Sequence, residues 1–300
     1  MKTLLPLILT SFVLTACNQA NIQPATSSNT PSETAPAVVS DARLVAMAYN
    51  IRYDNEGDGA NAWPKRADKV AEMIRSNQVD FGGLQEVLNS QYIWLNENLT
   101  EYDFVGVGRK DGQTQGEYAP VFWKKDRFTL ESWETRWLSE TPNQAGSIGW
   151  DAALPRIVTF AQLTENETGE LYLVGSAHYD HRGGKARRNS NQVIADYVQS
   201  ALSENPDLKV YLTGDFNELN HSRTIRELQS KTGLVDARKL TKNRMGPNST
   251  WNGFTSIDPG YRIDYVFTQP ENSILGQVID DRRIDKRWPS DHLPVVVWIE

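Results

Sequence analysis

Four times along the chain a short apolar run ends on a polar side chain, and this recurrence limits the available folds more than any other feature of the sequence. Leu44 to Tyr49 ends on Asn50, Val79 to Leu84 on Gln85-Glu86, Leu171 to Ala177 on His178, and Val210 to Thr213 on Gly214-Asp215-Phe216-Asn217. Short apolar runs of this kind read as buried strands. Polar residues at the same end of each predict that one rim of the fold collects them.

Helical patterns separate several of the runs. Pro64 to Asn77 places Pro in a first turn and Val70, Met73 and Ile74 on one face. A second pattern carries Leu88, Tyr92, Leu95 and Leu99, and a third runs from about Lys185 to Ser203 through Val193, Ile194, Tyr197, Val198, Ala201 and Leu202. Tyr118 to Trp123, Phe128 to Trp133, Ile157 to Leu163, Tyr261 to Phe267 and Val295 to Ile299 read as further strands. Strands outnumber helices and include adjacent pairs. That predicts an α/β protein whose sheets pack on each other with helices outside, rather than a strictly alternating parallel sheet. The 300 residues are 39% hydrophobic and include nine Trp, enough for one large core or two modest ones. No break in composition divides residues 43–300, so one domain is expected there.

The N-terminal stretch has a different character. Lys2, an apolar run from Leu4 to Leu14 and the small-residue boundary Thr15-Ala16-Cys17 read as a signal peptide over residues 1–17, too short to span a bilayer stably. Cys17 is the only cysteine, which excludes an internal disulfide and a multi-cysteine metal site. Leu14-Thr15-Ala16-Cys17 resembles the lipobox of bacterial lipoproteins. The resemblance implies a lipid on Cys17 and a place in the cell envelope, on the periplasmic or outer face of a bacterial membrane; the plainer reading is an ordinary secretory peptide. Residues 18–42, rich in Ser, Thr, Asn, Pro and Ala, have the composition of a disordered tether. The net charge of −7, with basic residues in scattered pairs such as Lys65-Arg66, Arg109-Lys110 and Lys124-Lys125, disfavours a nucleic-acid track but leaves room for one phosphate in a local pocket. A monomer is expected.

Taken singly, the polar residues at the strand ends have ordinary roles as caps and turns. Taken together they do not, because independent turns have no reason to repeat one design. Asp264 lies within the Tyr261 to Phe267 run, and a buried carboxylate there needs a partner. His292 is the natural one, in Ser290-Asp291-His292 just before Leu293-Pro294 and the last strand. Locally, that corner also reads as a capped turn.

Asn50-Ile51-Arg52, Gln85-Glu86, Gly116-Glu117-Tyr118, His178-Tyr179-Asp180-His181, Gly214-Asp215-Phe216-Asn217, Arg262-Ile263-Asp264-Tyr265 and Ser290-Asp291-His292 are, in that order, similar to the endonuclease/exonuclease/phosphatase superfamily over essentially residues 43–300. The resemblance implies a DNase-I-like four-layer α/β sandwich, in which two mixed β-sheets pack face to face under outer helices. Gly116 to Val121, Ser139-Glu140-Thr141-Pro142, Trp150-Asp151-Ala152 and Pro155-Arg156 look like a bacterial exported subgroup.

Carried over by position, the resemblance makes Glu86 the main ligand of a divalent metal, helped by Asn50 and by Asp291 through water. These oxygen donors suit Mg²⁺ or Mn²⁺, and His178, His181 and His292 keep Zn²⁺ as an alternative. The implied reaction is attack of water on a phosphoester. Asp215 orients or deprotonates the water, Asn217 positions it, and His178 and His292 donate to phosphoryl oxygens. Asp264 orients His292 and Glu117 orients His178; whether Asp215 or the Asp264-His292 pair is the base stays open. Arg52, His181, Lys185 and Trp251 are the expected substrate-side residues, with Arg182-Gly183-Gly184-Lys185 suggesting anion capture at a helix N-terminus. The expected activity is metal-dependent hydrolysis of phosphate mono- or diesters by an enzyme tethered to the envelope. An envelope or extracellular nuclease and a catalytically silent surface-binding lipoprotein are the alternatives.

Overall fold

The computed structural model describes Met1 and residues 41–300. The expected signal peptide, Cys17 and nearly all of the tether lie outside the described residues. Among the described residues no helix is long and apolar enough to cross a membrane.

In chain order the strands are β1 (Leu44–Asn50), β2 (Phe81–Gln85), β3 (Tyr102–Val105), β4 (Val121–Lys124), β5 (Phe128–Trp137), β6 (Ile157–Glu165), β7 (Leu171–His178), β8 (Lys209–Asp215), β9 (Val235–Asp236), β10 (Arg244–Met245), β11 (Asp264–Thr268), β12 (Ile274–Ile279) and β13 (Val295–Ile299). The helices are α1 (Ala67–Ser76), α2 (Asn89–Asn98), α3 (Gly184–Glu204), α4 (Arg223–Thr232) and the single turn α5 (Ala237–Leu240). One sheet has the order β10-β12-β13-β1-β2-β4-β3, the other β5-β6-β7-β8-β11-β9. Both are mixed: β1 runs parallel to β2 and antiparallel to β13, and β7 runs parallel to β8 and antiparallel to β6.

Period-two side-chain alternation divides the apolar residues into three layers. From β1, Ala46 and Ala48 point between the sheets toward Val174, Tyr211 and Val266, while Val45, Met47 and Tyr49 point toward Val70, Met73 and Ile74 of α1. On the far side of the second sheet, Leu173 and Leu212 meet Ile194 and Val198 of α3 and Leu228 of α4. This is the four-layer α/β sandwich implied by the resemblance. The sheets approach closely beneath the rim: a Cβ on Gly83 would lie 2.2 Å from Thr213 Oγ1 and 2.5 Å from Ser176 Oγ, so the position admits no side chain.

Strand register gathers the polar ends. Asn50 pairs with Gln85 across the first sheet, and His178, Asp215 and Asp264 lie in one row across the second. The opposite end of β1 pairs Leu44 with Ile299. At about 3.3 Å per residue, that end lies roughly 20 Å from Asn50.

Some expected boundaries move. The Pro64 to Asn77 pattern splits into a 3₁₀ turn, Trp63–Lys65, and α1, because Arg66 leaves helical geometry. Its guanidinium donates to the carbonyls of Ile51, Arg52, Asn61 and Pro289, tying this junction to the loops at both ends. Asp264 is the first residue of its strand rather than an interior one. Thr250 Oγ1 accepts the amides of Ile263 and Asp264, and this holds the preceding residues in a loop. β4 begins at Val121 rather than Tyr118, which forms an isolated bridge to Val87, and β5 continues past Trp133 to Trp137.

Candidate active site

Just beyond three converging strand ends the chain takes left-handed turns without glycine: Arg52 follows β1 at φ +57°, Glu86 follows β2 at +61°, and Asn217 follows β8 at +49°. Such conformations are held against roughly 1–3 kcal/mol each and persist where surrounding contacts impose them. Here they turn side chains into a cleft of ≈ 630 Å³.

Nine of the residues singled out in the sequence line that cleft: Arg52, Glu86, Glu117, His178, His181, Asp215, Asn217, Trp251 and His292. Asn50, Asp264 and Asp291 stand directly behind them. Asn50 Nδ2 donates to Glu86 Oε1 at 3.2 Å and Asp215 Oδ2 at 3.1 Å, so one amide joins two carboxylates from different sheets. Glu86 Oε2 accepts the Tyr53 amide, and Asp215 Oδ1 accepts the Asn217 amide at 2.9 Å. Asp291 lies 3.8 Å from Arg52 Nε, and its neighbour Ser290 donates its hydroxyl to the Asn50 carbonyl at 2.7 Å.

Two histidines flank Asp215, with His178 Nε2 3.7 Å and His292 Nε2 3.9 Å from its Oδ2. Their environments push them in opposite directions. Burial lowers His178 well below the ordinary imidazole range, and the Arg156 and Arg109 guanidiniums lower it further. Burial also opposes charge on His292, but Asp264 Oδ2 at 2.9 Å from Nδ1, together with Asp215 and Asp291, outweighs it and raises His292 to about 10. At neutral pH the site thus holds a neutral and a charged imidazole on either side of one carboxylate. Burial, reinforced by Asp264, raises Asp215 to about 7, and burial raises Asp291 to about 6.

Three further groups complete the wall. Glu117 Oε2 lies 3.6 Å from His178 Nδ1, and its Oε1 accepts from Arg109 Nη2 at 2.6 Å. Arg156 reaches His178 and His181 through Nη1 and Nη2, each at 2.8 Å. Trp251 stands edge-on to His292, with ring centroids 4.9 Å apart.

Arg109 and Arg156 were not legible as site residues. Arg156 immediately precedes β6, and antiparallel pairing sets Ile157 opposite His178, so the start of β6 reaches the rim where β7 ends. Its signal is a charged residue placed just before a strand that runs antiparallel to β7. Arg109 sits in a loop where sequence showed only one basic pair among several. Lys185 is the residue that the structure separates from the rest, for it is absent from the cleft wall. The amides at the start of α3 are already taken: Asp151 accepts from Lys185 and Ala186, and Asp180 from Arg182 and Gly183. The chain's own carboxylates occupy the expected anion site.

Glu86, His178 and Asp215 each offer one ligand atom, all within 4.8 Å of one another, as do Asp215, Asp264 and His292. The second trio is committed to the Asp264–His292 hydrogen bond. The first adjoins the Asn50 amide, and its two carboxylates from separate strands suit a hard cation.

A family model described as Endonuclease/Exonuclease/phosphatase family matches residues 47–292. Among solved structures, an endonuclease/exonuclease/phosphatase from Bacteroides vulgatus is 34% identical, with TM-score 0.81, covering 86% of this chain and 98% of its own. The mannosyl-6-phosphatase of Bacteroides thetaiotaomicron is 32% identical, with TM-score 0.80, covering 86% and 99%. The human Nocturnin catalytic domain with bound sulfate, at 18% identity, TM-score 0.66 and 85% and 93% coverage, shares the fold. No curated protein matches the sequence.

Proposed function

Because the chain belongs to the endonuclease/exonuclease/phosphatase family, hydrolases of phosphoester bonds, we propose that it is a divalent-metal-dependent phosphatase of small phosphate monoesters, of the sugar phosphate kind, tethered to the cell envelope. The observation that carries this reading is Asp215, held between His178 and His292 and joined through Asn50 to Glu86. A mannosyl-6-phosphatase at 32% identity supports the substrate class, and a cleft of ≈ 630 Å³ suits a small molecule.

Glu86, with Asn50 beside it and Asp291 through water, would hold Mg²⁺ or Mn²⁺; its carboxylate is a hard oxygen donor adjoining that of Asp215, and the only cysteine is Cys17. Bound there, the cation would supply Lewis acidity toward the phosphoryl group. Asp215 accepts the proton of the attacking water, and Asn217 fixes the water's position from a backbone locked by the bond between its amide and Asp215. His292, kept protonated by Asp264, donates from Nε2 to a phosphoryl oxygen as charge builds. We take Asp215 as the base, because Asp264, 2.9 Å from His292 Nδ1, favours the charged, donating form of that ring. Arg156 holds His178 by its ring, and Arg109 holds Glu117 beside it.

The purified protein is expected to hydrolyse mannose 6-phosphate, to lose that activity in EDTA and to regain it with Mg²⁺ or Mn²⁺. Turnover that survives EDTA, or faster cleavage of a single-stranded oligonucleotide than of any monoester, would overturn the reading. The tether rests on the lipobox-like Leu14-Thr15-Ala16-Cys17. Cys17→Ser is expected to move the protein from the membrane to the soluble fraction, and an unchanged distribution would count against lipidation.

A further inference from the structure

The segment from Ser249 to Tyr261 is built onto the catalytic corner through main-chain bonds. The amides of Asn252 and Gly253 both donate to the Asp291 carbonyl, at 2.8 and 3.1 Å, and Leu293 N donates to the Thr250 carbonyl at 2.7 Å. Asn252 Nδ2 donates to the Ser290 carbonyl at 3.0 Å. The segment also closes on itself: Asp258 N donates to Trp251 O, Tyr261 N to Asp258 O and Thr250 N to Tyr261 O, at 3.2, 3.3 and 3.1 Å. It is therefore a preformed wall whose position is fixed relative to His292, rather than a loop that must order around a ligand.

Three side chains of this wall face the cleft: Trp251, Asp258 and Tyr261. Tyr261 is 45% exposed, and among the large apolar or aromatic side chains exposed on residues 41–300 it alone lines the cleft; Ile93, Trp133 and Ile148 do not. The cleft's arginines already have carboxylate partners, Arg52 in Asp58, Arg109 in Glu117 and Arg156 in Asp180. Asp258 is an exposed cleft carboxylate outside these pairs, and no side chain among the described residues bonds to it.

An aromatic face and an unpaired carboxylate on one wall of the cleft suit a polyhydroxylated ring. The aromatic side chain covers the C–H face of a pyranose, while the carboxylate accepts from two neighbouring hydroxyls. The same carboxylate repels the flanking phosphates of an oligonucleotide. We infer that Asp258 and Tyr261 form the subsite for the substrate's alcohol, and that they select a neutral polyhydroxylated group, a hexose, carrying the phosphate toward Asp215 and His292. This rests on the phosphatase reading above and names the residues through which that reading gains its specificity.

The test compares mannose 6-phosphate with propyl phosphate, a monoester offering neither ring nor hydroxyls. Asp258→Asn and Tyr261→Ala are each expected to lower the ratio of kcat/KM for the sugar over the alkyl substrate by about tenfold, through KM for the sugar, as the loss of one charged hydrogen bond or one packed face implies. Tyr261→Phe, which retains the ring, is expected to restore most of the ratio. Both residues are exposed, so the variants should fold. A ratio that does not move, or a fall in kcat on both substrates alike, overturns the inference while leaving the phosphatase reading intact. Should the wild-type protein hydrolyse neither ester, the phosphatase reading fails, and binding then decides the inference. Saturable quenching of tryptophan fluorescence by mannose 6-phosphate in EDTA, weakened in both variants, supports it; its absence from the wild-type protein overturns it.

Discussion

Asp215→Asn is expected to lower kcat/KM on a phosphate monoester by about 10²–10⁴-fold while leaving the protein as stable as before, or more so. The rate effect follows from position. Asp215 is the carboxylate between both histidines and Asn50, and an amide cannot take a proton from water. The stability effect follows from electrostatics. Burial and the nearby Asp264 raise Asp215 from 3.8 to about 7, so the fold disfavours its ionised form. That penalty begins as pH rises above the unfolded value and is complete above about pH 7. Asn removes it. In EDTA, the variant's Tm should equal or exceed that of the wild-type protein at pH 8, with the difference vanishing near pH 4. A rate loss accompanied by a lower Tm at pH 8 would mark Asp215 as a structural residue instead.

Glu86→Gln should bring a loss of about 10²-fold or more in kcat/KM at fixed Mg²⁺, together with a rise in the metal concentration needed for half-maximal rate. Gln retains an acceptor for Asn50 Nδ2 or for the Tyr53 amide, so the left-handed turn after β2 should survive. What disappears is a negative charge within ligand distance of Asp215 and His178. Partial recovery at high Mn²⁺ is the signature of a weakened ligand. An unchanged metal requirement would place the cation elsewhere or dispense with it.

The parts of the site that sequence exposed share a physical cause. Asn50, His178 and Asp215 end strands that run up to the rim, and parallel pairing of β1 with β2 and of β7 with β8 brings those ends side by side. Antiparallel strands invert that rule. Arg156 and Asp264 approach the same rim at strand starts, where a pattern of apolar run followed by polar residue cannot point to them. β1 and β13 were readable because they are unbroken apolar runs; β12 was not, since Gly276 and Gln277 interrupt its apolar run just after a register irregularity at Leu275. Lys185 misled for another reason. Its glycine-flanked position has the composition of an anion site, but whether such amides remain free depends on distant residues, and Asp151 is more than thirty positions away.

The antiparallel pairing of β1 with β13 also governs how the molecule can be displayed. Residues 44 and 299 leave the fold side by side, and the catalytic rim lies at the other end of the same strands, roughly 20 Å away. A segment joined to the chain ahead of residue 44 therefore enters the fold at the end opposite the cleft. For the same reason, a fusion partner or an immobilising tag at either of these paired ends should leave catalysis unobstructed.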